Sequence, residues 1–216
     1  MSNPPSPPAA AVFDCDGLLL DTEPLWTIGE ERLFLRYGRV FSPDDKRALL
    51  GTSGPAAGRV LARLLEQPGR ELALVEELLA ACEGAMADAA PMPGARDLVD
   101  RLRGRLPLSA ASNSPRRLLH PALAGAGFGP EFEAVLTVED VEHPKPAPDL
   151  YLAACLRLGV DPTRAIALED SPTGVASARA AGLWVIGVPS YPGVELEADL
   201  VVSSLADPRV AAALSV

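Results

Sequence analysis

The residues best suited to chemistry in this chain are carboxylates placed just past short apolar runs. Residues 9–13 lead into Asp14-Cys15-Asp16-Gly17, and residues 165–168 lead into Glu169-Asp170-Ser171. If the two runs are neighbouring parallel strands, Asp14, Asp16 and Asp170 converge at one edge. Two carboxylates 4 Å apart repel by about 4 kcal/mol at an effective dielectric of about 20. Such a cluster persists only with a cation or with protonation, and Mg²⁺, which prefers oxygen ligands, meets that need. Taken alone, the Asp14/Asp16 pair reads equally well as a solvated strand end with a turn at Gly17.

Two further segments bear on an anionic ligand. Ser112-Asn113-Ser114 follows the apolar run 106–111. A hydroxyl and backbone N–H groups at a strand end that opens a helix form an anion cradle. Read alone, Ser114 before Pro115 is first a helix N-cap. Lys145 lies in His143-Pro144-Lys145-Pro146-Ala147-Pro148. Its flanking prolines stiffen the backbone, and a lysine held there presents a point charge to a phosphate. The alternative is a solvated loop lysine.

Composition narrows the chemistry. The chain has 216 residues and a net charge of −10, so no global field attracts nucleic acid. Only Lys46 and Lys145 are lysines among its 19 basic residues. Two separated histidines, His120 and His143, and three scattered cysteines do not make a zinc site of ordinary spacing. The unpaired cysteines suit a reducing cytosol. No basic segment precedes an apolar run, and no stretch approaches 18 apolar residues. No signal peptide and no membrane partner are therefore expected, and the location expected is cytoplasmic.

The elements that must position these residues are short. Apolar runs at 9–13, 106–111, 134–138, 165–168, 183–188 and 199–202 have the length of strands buried on both faces. Helical patterns at 150–158 and 173–181 end at Gly159 and Gly182, and Ser171-Pro172 starts the second. The alternation predicts an α/β fold: a Rossmann-like parallel sheet with helices on both faces, with ligands beyond the carboxyl ends of the strands. From 22 to 90 no strand is legible. Leu72, Val75, Leu79, Cys82 and Met86 space out one helix face, and Val60, Leu61, Leu64 and Leu65 a second. The organisation expected is a loose tail over 1–8, a catalytic core over 9–21 and 91–216, and an inserted α-helical cap over 22–90. The linkers would be 17–21 and 91–94.

The whole constellation resembles the haloacid dehalogenase superfamily of phosphohydrolases, in particular its β-phosphoglucomutase-like group with a helical cap. Four motifs carry the resemblance in order: DCDGLLLDTEPLW from Asp14, Ser112 at a strand end, KPAPD from Lys145, and LEDSPTG from Leu168. The resemblance implies Asp14 as nucleophile, forming an aspartyl-phosphate, and Asp16 as acid/base. It implies Mg²⁺ held by the Asp14 carboxylate, the Asp16 backbone carbonyl and Asp170, with Glu169 near or in the next layer. It implies that Ser112, the Asn113 N–H and Lys145 stabilise the phosphoryl group.

Asp16 favours phosphate esters over the dehalogenase and phosphonatase branches, which lack that aspartate. Trp26 stands where the mutases of the group carry a histidine. Gly54 stands where they carry an arginine after Gly-x-Ser. The activity expected is hydrolysis of a small phosphorylated metabolite, sugar phosphate-like, by a monomer; the alternative is a phosphohexose mutase. The cap is expected to set specificity through Thr52, Ser53 and Trp26, the last also reading as a cap core residue. Arg116 is in reach of a substrate or is an ordinary surface arginine.

Overall fold

The computed structural model describes residues 3–50, 52, 54–190 and 193–216. Six short strands form one sheet in the order β5-β4-β1-β6-β7-β8. They are β1 (Ala10–Phe13), β4 (Leu108–Ala111), β5 (Ala134–Leu136), β6 (Ala165–Glu169), β7 (Trp184–Gly187) and β8 (Leu200–Val201), and every pairing among them is parallel. Five of the strands are one or two residues shorter than their apolar runs, β1 and β4 at the start, β5 at the end and β7 and β8 at both ends, whereas β6 runs one residue further, to Glu169.

Alternate strand residues feed two cores. Ala11, Phe13, Leu108, Ala110, Ile166 and Leu168 face one side of the sheet. Ala10, Val12, Ala111, Ala165, Ala167 and Val185 face the other. That second side is rich in alanine. Small side chains let α7 (Asp149–Leu158) and α8 (Pro172–Ala180) sit close to the strand ends, with Leu150, Tyr151, Ala154, Val175 and Ala178 filling the gap. On the first side lie α5 (Ala95–Leu102), α6 (Arg116–Gly125) and α9 (Pro208–Ala213).

Between β1 and β4 the chain is helical: α1 (Glu23–Arg36), α2 (Pro43–Leu49), α3 (Gly54–Leu64) and α4 (Glu71–Cys82). Their buried residues, among them Leu33, Phe34, Leu61 and Leu74, are continuous with the core on the first side of the sheet. One sequence expectation needs correction here. The buried stripe of α4 runs through Leu74, Leu78, Ala81 and Cys82, and Leu72 is 74% exposed. The helix carries apolar residues around most of its circumference, so spacing alone did not single out the face that packs on α1 and α3. The segments that lead into and out of the helices meet in a short ribbon. Leu20–Asp21 (β2) pairs antiparallel with Ala90–Pro91 (β3), which ties the entry and exit of the helical segment together. Two-residue strands carry no periodicity, so nothing in the sequence marked them. Among the described residues no helix is long and apolar enough to cross a membrane, and Cys15, Cys82 and Cys155 are buried free thiols.

Candidate active site

Asp14 is the first residue past β1. It lies between the ends of β4 and β6 because Phe13 is in register with Ala110 on one side and Leu168 on the other. Parallel pairing therefore brings the carboxyl ends of three strands level. Asp14, Glu169 and Asp170 each offer an oxygen within 4.8 Å of the others, and all three are buried. Two glycines make room for this. A Cβ on Gly174 would overlap the Glu169 carboxylate, and one on Gly17 would overlap Asp170 Oδ2. Gly17 also has φ +81°, the left-handed geometry of the turn that brings the chain back over the strand ends.

Lys145 enters from the loop before α7 and is buried, not solvated. Its Nζ donates to Asp14 Oδ1 at 2.6 Å, to Glu169 Oε1 at 2.6 Å, and to the Ala111 carbonyl at 2.8 Å. Burial opposes its charge, but the carboxylates of Asp14 and Glu169 outweigh that and hold its pKa well above the ordinary lysine value. Asn113 grips the Lys145 backbone from both sides. Its Nδ2 donates to the Lys145 carbonyl at 3.0 Å, and its Oδ1 accepts the Lys145 N–H at 2.9 Å.

Glu169 is saturated by the protein. Oε1 accepts from Lys145 and from the Tyr151 hydroxyl at 2.6 Å, and Oε2 accepts the Asp170 N–H at 3.1 Å and the Ser171 hydroxyl at 3.2 Å. Asp170 is held by a hydrogen bond from Ser190. Burial first, and then the Glu169 charge, push its carboxyl up to about 7. Tyr151 is a site residue that sequence reasoning missed. Its only signal was a hydroxyl on an otherwise apolar helix face, six residues after Lys145. Burial and the Glu169 charge push its own pKa well up, so it stays a neutral donor.

Asp16 departs from the convergence read in the sequence. Its carboxylate turns away from the cluster into three hydroxyls. Thr22 Oγ1 donates to Oδ1 at 2.9 Å, and Ser112 and Ser114 donate to Oδ2 at 2.9 and 2.8 Å. The Ser112 hydroxyl thus donates to Asp16 in this structure. Ser114 is also not a helix cap. The residue before α6 is Pro115, without a side-chain cap bond, and the Arg116 N–H is taken by Glu139. The tertiary contact with Asp16 outcompetes the local one.

The outlying candidates do not join the cluster. Arg116 is exposed and ion-paired to Asp140 at 2.7 Å. Thr52 donates to the Leu49 carbonyl at 2.7 Å, and Trp26 is half-buried against the core on the first side of the sheet. Ser53 lies outside the described residues.

The pattern of a haloacid dehalogenase-like hydrolase matches residues 8–182. The chain belongs to the haloacid dehalogenase-like hydrolase family. As a family member it is 32% identical over 184 residues to the fructose-1-phosphate phosphatase YqaB of Escherichia coli, covering 83% of this chain and 96% of that one. It is 31% identical over 207 residues to the validoxylamine A 7'-phosphate phosphatase of Streptomyces hygroscopicus subsp. limoneus, covering 92% and 95%. The crystal structure of CbbY from Rhodobacter sphaeroides in complex with phosphate superimposes with a TM-score of 0.81 and 28% identity, covering 97% of this chain and 100% of that one.

Proposed function

We propose that this hydrolase cleaves phosphomonoesters of a small phosphorylated metabolite, sugar phosphate-like, through an aspartyl-phosphate on Asp14. The observation that carries the reading is the contact between Asp14 and Lys145. They are 131 residues apart in sequence and 2.6 Å apart at the strand ends, beside two further carboxylates. The family membership and relatives named for phosphate esters, one of them a sugar phosphate, support the same conclusion.

The donor set fits magnesium. Asp14, Glu169 and Asp170 present only carboxylate oxygens, and Lys145 is the one ammonium among them. Asp14, Asp170 and the Asp16 backbone carbonyl would hold the ion, with Glu169 behind them. When bound, Mg²⁺ supplies charge neutralisation for the carboxylates and for the phosphoryl group.

The chain's own residues do the rest. By holding Oδ1, Lys145 fixes the rotation of the Asp14 carboxylate. The Asp14 carboxylate forms the new O–P bond as the P–O bond to the alcohol breaks, which splits one displacement into two easier ones. Asp16 enters the first step protonated and gives that proton to the departing alkoxide; as a carboxylate it then accepts one from the water that cleaves the aspartyl-phosphate and regenerates Asp14. Lys145, Ser112 and the Asn113 N–H offset charge on the phosphoryl oxygens. The cap over 22–90 contributes the specificity surface, with Trp26, Thr52 and Ser53 as its candidate contacts.

The test is phosphate release from a panel of phosphorylated metabolites. Turnover that EDTA abolishes and Mg²⁺ restores is expected, and Asp14→Asn protein that keeps full turnover would overturn the mechanism.

A further inference from the structure

We infer that the Ser112-Asn113-Ser114 turn divides its labour, with Ser114 a positioning residue for Asp16 and Asn113 a positioning residue for Lys145. The inference rests on the phosphatase reading above. It assigns work to two side chains that a phosphate cradle would not use.

Ser114 is buried and has given up helix capping for a 2.8 Å bond to Asp16 Oδ2. Its backbone N–H donates to Ser112 Oγ at 2.9 Å. With that N–H on its lone pair, the Ser112 hydroxyl points its proton at the same Asp16 oxygen. Asp16 Oδ2 therefore has two donors, Ser112 and Ser114. When a phosphoryl oxygen draws the Ser112 hydroxyl away, Ser114 on Oδ2 and Thr22 on Oδ1 still hold the carboxyl in place. The second serine makes the first one available.

Asn113 works on the other side of the turn. Its amide pairs with both backbone groups of Lys145, as a neighbouring strand would. That fixes the point from which the lysine side chain runs inward to Asp14. One three-residue turn thus sets the acid/base group with its serines and the ammonium with its asparagine.

The two roles separate by leaving group. An alkoxide needs a proton to depart, whereas a nitrophenolate departs without one. The phosphoryl charge that Lys145 meets is present with both. The experiment measures kcat/KM for p-nitrophenyl phosphate and for the best alkyl phosphate of the panel, with inhibition by inorganic phosphate and the Tm of each variant.

Ser114→Ala is expected to lower kcat/KM for the alkyl ester about tenfold. The aryl ester should stay within about twofold, with phosphate inhibition unchanged and Ser114→Thr restoring the alkyl rate. Asn113→Ala is expected to lower both substrates alike, about tenfold, and to weaken phosphate inhibition in step. Should Ser114→Ala not fold, Ser114→Cys, nearly the same size with a weak donor, carries the same expectation. Equal loss on both esters in the serine variant, or weakened phosphate inhibition there, would make Ser114 a phosphate contact and overturn its role. Unchanged phosphate inhibition in Asn113→Ala overturns the other half. Wild-type protein that hydrolyses no phosphomonoester sinks the functional reading itself, a result distinct from either.

Discussion

The chain's two lysines each bridge two carboxylates, in very different places. In the helical segment between β1 and β4, Lys46 Nζ lies 2.8 Å from both Glu23 and Glu30 and joins α1 to α2. At the strand ends, Lys145 Nζ lies 2.6 Å from both Asp14 and Glu169. The Lys46 side chain is 21% exposed and the Lys145 side chain 4%. In both cases burial works against the ammonium, its carboxylate partners outweigh it, and the pKa rises. The difference lies in what surrounds the pair. Lys46 answers to two helices and water. Lys145 is also fixed by a carbonyl of β4 and by Asn113 on its backbone, and its two carboxylate partners share their cluster with a third, Asp170. A similar ion triad is a fastener in one setting and, by our reading, a phosphoryl-transfer site in the other.

Substitutions can break that contrast, beginning with the largest effect. Asp14→Asn should lower kcat by about 10⁴-fold or more, as expected when a nucleophile is lost, while far-UV circular dichroism stays native.

Lys145→Arg should lower kcat/KM by about 100-fold. A planar fork does not occupy the small space between Asp14, Glu169 and the Ala111 carbonyl. Unchanged turnover would remove the argument for a compact charge.

Magnesium should raise Tm more at pH 8 than at pH 5. Asp170 titrates near 7 in the fold against an ordinary 3.8. Its raised pKa favours the metal-free fold below about pH 3.8, and that contribution is lost as pH rises towards 7. The cation binds the ionised form. At 100 times its Kd it adds about 2.7 kcal/mol, on the order of 5–10 °C for a chain of this size. Equal Tm gains at both pH values would count against Asp170 as a ligand.

Tyr151→Phe removes one donor from the buried Glu169 carboxylate. It should lower stability by about 1–3 kcal/mol, read from urea denaturation, with a few-fold loss of turnover. Lys46→Arg should be the mildest, within about 1 kcal/mol for a partly exposed pair, with kcat/KM unchanged.

Some of this was legible in the residues alone, and the reasons differ by element. The strands β1 and β6 were readable because apolar runs end abruptly at carboxylates. The α8 start was readable because Ser171-Pro172 is a local signal, and Ser171 Oγ does accept the Gly174 N–H. The α4 face and the β2–β3 ribbon were not. One depends on which side of an apolar helix meets its neighbours, the other on two residues meeting across about seventy.

Sequence by itself determined which groups stand at the strand ends, since chain order and apolar length fix where a strand stops. It also determined that the only two lysines, Lys46 and Lys145, fall in separate segments. Tertiary structure alone decided the partners. It turned Asp16 from the carboxylate cluster into three hydroxyls, took Ser114 from its helix, brought Tyr151 to Glu169, and closed Asn113 around Lys145. Each of those is a hydrogen bond between groups distant in sequence or against local preference. Side-chain polarity announces that such a bond is needed, and only packing selects the atom that makes it.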